Sequence, residues 1–167
     1  MTYDDLLAIL FFVTLFFVVP ILVVWRLSRR PVGGDVQMQL TFRGAVAGVA
    51  GGAIAATVSA FVFRPQAYDA LGYIYSLIFT PVVGIVFALI LGYVQKRAPG
   101  LKLSGRVAAG ALLGVVTALA WAAAAGVNLL GPANAAVKGL ASIIIGTGVV
   151  SGILSGPLKE EEEEEET

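Results

Sequence analysis

Residues 44–63 read GAVAGVAGGAIAATVSAFVF, an uncharged stretch between Arg43 and Arg64 with glycine at 44, 48, 51 and 52. In water each of those glycines costs a helix interior about 1 kcal/mol relative to alanine. In lipid the balance changes. Hydrocarbon tails are as apolar as leucine, so little hydrophobic drive holds two helices together. Small residues at every fourth position let backbones approach and pack instead. The stretch therefore reads as a transmembrane helix built to lie close against another one.

The composition supports that solvent. The chain has 167 residues, of which 58% are hydrophobic and 13% charged, with a mean hydropathy of +0.90. Soluble domains carry about 25% charged residues. All seven glutamates form one run, Glu160–Glu166, and the other acids are Asp4, Asp5, Asp35 and Asp69. Net charge is zero, which gives no reason to expect a nucleic-acid partner. Without cysteine or histidine, the chain has no disulfide, thiolate, imidazole or His/Cys metal chemistry. No cofactor and no metal site is expected.

About 20 apolar residues in a helix cross the bilayer's hydrocarbon. Five segments meet that length: 6–25, 44–63, 73–94, 107–125 and 138–156. The uncharged run from 107 to 137 is broken at GVNLLGPANA, 126–135, because Gly, Asn and Pro there make a turn. The fold class predicted is all-α, a polytopic bundle of five transmembrane helices. Residues 1–30 form a peripheral anchor, 31–43 a cytoplasmic loop, 44–158 a four-helix core and 159–167 an acidic, disordered cytoplasmic tail.

The first segment, LLAILFFVTLFFVVPILVVW, begins after the acidic MTYDD and ends in WRLSRRP. A cleaved signal peptide has the opposite flanks, so the segment reads as a retained anchor. Its large side chains forbid close approach, which puts it at the periphery. Basic residues fall in alternate loops: Arg26, Arg29, Arg30 and Arg43 in the first, and Lys96, Arg97, Lys102 and Arg106 in the third. Positive charge marks the cytoplasmic side. The N-terminus is thus expected outside and the C-terminus inside, in a multi-pass cell-membrane protein.

Small residues recur at four-residue spacing in four segments: Gly44, Gly48, Gly52; Thr80, Gly84, Ala88, Gly92; Gly110, Gly114, Ala118; and Gly148, Gly152, Gly156. These stripes are the predicted packing surfaces, either within the chain or toward a second subunit. The interval from 43 to 96 equals that from 106 to 159, which suggests two duplicated hairpins, 43–96 and 106–159.

Chemistry inside the spans is limited to hydroxyls, with Ser142, Thr147, Ser151 and Ser155 concentrated in the last one. No carboxylate pair, nucleophile–base pair or phosphate loop occurs, so no enzyme is expected. The leading expectation is a non-catalytic structural or accessory subunit of a membrane complex, or a self-associating bundle, with a membrane-protein partner or a homo-oligomer. A small transporter or channel with a path along Ser142, Thr147, Ser151 and Ser155 is the alternative. A third reading makes the glutamate run an adaptor for a basic cytoplasmic partner.

Overall fold

The computed structural model describes residues 7, 10, 11, 13–29, 36–63, 70–128 and 135–156, and for 29, 60, 63, 70–77, 135 and 136 the backbone alone. All regular structure among the described residues is helical. The elements are α1 (Val19–Arg29), α2 (Val36–Phe63), α3 (Ala70–Arg97), α4 (Leu103–Ala124) and α5 (Ala135–Leu154). The last four contain segments long and apolar enough to cross a membrane.

A π-helical turn, Thr14–Val18, leads into α1. Pro20 explains it: proline lacks the N–H that would reach back to residue 16, and its ring clashes with that carbonyl. The preceding turn widens, and the N–H of Val19 reaches Thr14 O, five residues back. The apolar helix described here, Thr14–Ser28, is shorter than the other four.

α2 begins at Val36, so residues 36–43, expected in a loop, are helical. Gln37, Met38, Gln39 and Leu40 are good helix formers, and Leu40 packs against Gly92 of α3. With 28 residues, α2 is about 42 Å long at 1.5 Å per residue. That exceeds the ~30 Å hydrocarbon thickness, so a polar first turn can stand outside it.

α4 ends where the glycine at 126 forces it to. Gly126 takes φ +67°, the left-handed conformation in which a Cβ is costly. Its N–H bonds Ala123 O at 3.1 Å and the Val127 N–H bonds Ala122 O at 2.8 Å. The pair of bonds closes a Schellman cap.

The bundle has a central pair. α2 packs extensively on α3 and on α5, and α4 packs mainly on α5. Buried residues make up 61% of the α2 span and 50% of the α5 span, against 33% and 22% in α3 and α4. α3 therefore flanks α2 on one side, and α4 flanks α5 on the other. The hairpins α2–α3 and α4–α5 do not occupy equivalent places: the first helix of one and the second helix of the other form the centre. α1 lies on α2, where Val24 joins Ala47, Ala50, Val150 and Leu154 in a buried cluster. Large side chains on α3 and α4 face outward, among them Phe79, Val82, Leu112 and Val116, each more than half exposed.

Candidate functional site

The hairpin seams are lined by glycine. Gly44, Gly48 and Gly52 of α2 face α3: a Cβ on Gly44 would stand 2.6 Å from Ile85 Cα, and one on Gly48 would overlap the Thr80 carbonyl. Gly48 sits 2.7 Å from Pro81 Cα by the same construction. Pro81 lies inside the continuous helix α3 and, lacking an N–H, leaves the Leu77 carbonyl without its helical donor. On the other side, a Cβ on Gly84 would run into Gly44 and Gly48 backbone, and one on Gly92 would meet Leu40.

The second hairpin repeats the arrangement with different residues. Gly110 faces Gly148 and Gly152, Gly114 faces Ile144 and Ile145, and Gly152 faces Arg106 and Val107. Each of these helix pairs is antiparallel, since low numbers on one helix meet high numbers on the other. Between the hairpins a separate contact joins Gly51 of α2 to Gly146 and Thr147 of α5, with a Gly51 Cβ falling 2.8 Å from both Gly146 O and Thr147 Cα. Gly51 and Gly146 lie off the four-residue stripes. The signal that could have found Gly51 was its position beside Gly52, which gives α2 small residues on two faces.

The four hydroxyl residues, three on α5 and Ser155 just past its end, do not meet in one cavity. Ser142 opens on a groove of about 340 Å³ between α2 and α5, lined also by Gly51, Ile54, Ala55 and Val58. Its Oγ donates to Lys138 O at 2.8 Å. Thr147, Ser151 and Ser155 do not line that groove and are buried, at 0, 1 and 4% exposure. Ser155 Oγ donates back to Gly152 O at 2.9 Å, the usual way in which a hydroxyl in a helix is satisfied. Thr147 Oγ1 and Ser151 Oγ have no hydrogen-bond partner. Other described hydroxyls, Thr57, Ser59 and Thr117, bond to their own helices.

The charged residues gather at one end. Arg26 in the last turn of α1, Arg43 near the start of α2, Lys96 and Arg97 closing α3, and Lys102 and Arg106 opening α4 stand at the helix ends on one side of the bundle. Of these, Arg43 and Arg106 reach the C-terminal end of α5. Arg97 Nη2 donates to the Tyr93 hydroxyl at 3.0 Å, and the guanidinium carbon Cζ lies 5.4 Å from the Tyr93 ring centroid. Lys138, half-buried, begins the opposite end. All charged side chains among the described residues are Lys or Arg, because Asp4, Asp5, Asp35, Asp69 and the 159–167 tail lie outside them. No group of three potential metal ligands occurs among the described residues. A larger apolar groove, about 590 Å³, runs between α1 and α2 past Phe16, Pro20, Phe42 and Val46.

Compared with protein-family models, curated proteins and solved structures, the chain finds no match.

Proposed function

We propose that the chain is a five-span integral protein of the cell membrane, with its N-terminus outside and its C-terminus in the cytoplasm. It serves as a non-catalytic structural or accessory subunit of a membrane assembly, or associates with its own copies. One observation carries this reading: backbone-to-backbone seams close the interior, and the bulky apolar side chains of α3 and α4 are turned outward. An interior spent on packing supports a scaffold role, and the outward faces suit lipid or neighbouring helices. α1 completes the fifth span with the apolar residues that precede Thr14. The orientation follows from the basic end, since positively charged loops stay in the cytoplasm.

Purification from native membranes in mild detergent tests the proposal. Native mass measurement should give the chain as an oligomer or together with partner subunits. A strictly monomeric particle, free of partners at every detergent concentration, would overturn it.

The transporter reading keeps one observation in its favour, the buried and unpartnered hydroxyls of Thr147 and Ser151. Buried polar groups are normally paired, often by water. If they line a hydrated path, single cysteines at 147 and 151 should react with small water-soluble thiol reagents in intact membranes. Protection at both positions ends that reading.

A further inference from the structure

At the basic end of the bundle, two arginines from different hairpins converge on the last turn of α5. Arg43 is 7% exposed, and its Nη1 donates to the carbonyls of Leu154 and Gly156, each at 3.3 Å. Arg106 comes to the same place from α4: a Cβ built on Gly156 would lie 3.2 Å from Arg106 Nη1 and 3.9 Å from Arg43 Nη1. Two long bonds to carbonyls leave part of this donor set unused. Arg43 Nε, Arg106 Nε and Arg106 Nη1 are all buried without a partner. No carboxylate among the described residues balances them. A buried charge is costly unless paired, and two of the same sign repel as well. The guanidinium fork is shaped for a planar oxyanion that accepts two bonds at once. The cluster therefore has the form of an anion seat with its donors in place.

We propose that the occupant is the chain's own glutamate run, Glu160–Glu166. The run begins four positions after Gly156, the residue whose carbonyl Arg43 already holds. Four extended residues reach about 14 Å, far enough for the first carboxylates to turn back onto the arginines. The short tether holds them there at millimolar effective concentration. Seven carboxylates also complement the exposed Lys96, Arg97 and Lys102 around the same end. A tail seated in this way is withheld from any basic partner until a competing anion releases it. The proposal is independent of the subunit role above and holds whichever way this end faces.

The test uses the full chain, which has no native cysteine. Ser104, exposed at the start of α4, and Glu163 are replaced by Cys and spin-labelled, and their separation is measured in phosphatidylcholine nanodiscs. At low salt a short-distance population is expected. About 1 M salt, where the screening length is ~3 Å, should reduce the part of it held by the exposed Lys96, Arg97 and Lys102. Replacing all remaining glutamates in the tail by Gln, a change that leaves the bundle untouched, should remove it, and so should Arg106→Gln alone. A distribution that neither variant alters would overturn the proposal. So would native mass spectra in which phosphatidylglycerol is retained through Arg43 and Arg106 equally with and without residues 160–167, since the seat would then belong to a lipid phosphate.

Discussion

Gly110 of α4 and Gly148 of α5 stand so close that a Cβ on either one would overlap the carbonyl oxygen of the other. The relationship is reciprocal, so relief cannot come from moving one side chain. Backbone would have to shift, and with it the seam that Gly114 and Gly152 continue.

Leucine at Gly110 or at Gly48 should therefore cost at least the 1–3 kcal/mol typical of an overpacked core. Gly100 provides the comparison, because a Cβ there meets nothing within 4 Å. Gly100→Ala should stay within about 0.5 kcal/mol of the parent, as surface changes usually do. Reversible unfolding in mixed micelles measures all three. Equal stability for Gly48→Leu and Gly100→Ala would remove the seams as the source of cohesion.

Gly126 makes a different demand. Its φ of +67° disfavours any residue with a Cβ by about 1–2 kcal/mol. Gly126→Ala should lose that much in the same unfolding assay, whereas Gly126→Asn should recover part of it, since asparagine tolerates the left-handed region.

Thr147 and Ser151 carry hydroxyls that make no bond in a buried site. Desolvating such a group costs about 1–3 kcal/mol. Thr147→Val and Ser151→Ala should accordingly be neutral or stabilising. A clear loss of stability in both would mean that an ordered water or a solute satisfies those hydroxyls.

Topology can be read with single cysteines in this cysteine-free chain. A cysteine at Gly100, between α3 and α4, should be labelled by an impermeant reagent only from the cytoplasmic side. One at Asn128, beyond the cap of α4, should be labelled only from outside. The reverse pattern would invert the proposed orientation.

Some of this architecture could be read along the chain. The α4–α5 break was legible because Gly126 marks it with a local backbone requirement. The glycines at 44, 48, 52 and at 110, 114 recur at four-residue spacing, and such a period can be seen along the chain because it is a property of one helix. Other features were not. Arg43 looked like a loop charge at the edge of a span, yet it is buried against the end of α5, 111 residues away. The α2 start at Val36 was missed because Gln37 and Gln39 break the apolar pattern without breaking the helix.

Exclusion of charge and the periodicity of small residues are one-dimensional constraints, and they determined that the chain forms long apolar helices with small residues along one face. They left open which face meets which. A surface stripped of side chains fits any other such surface nearly as well, so the sequence does not label its partner. Only the three-dimensional arrangement decided that the stripes pair within each hairpin and that Gly51 meets Gly146 at the centre. The same arrangement brought Arg43 and Arg106 together on Gly156, because their nearness depends on how two separate hairpins are laid against each other.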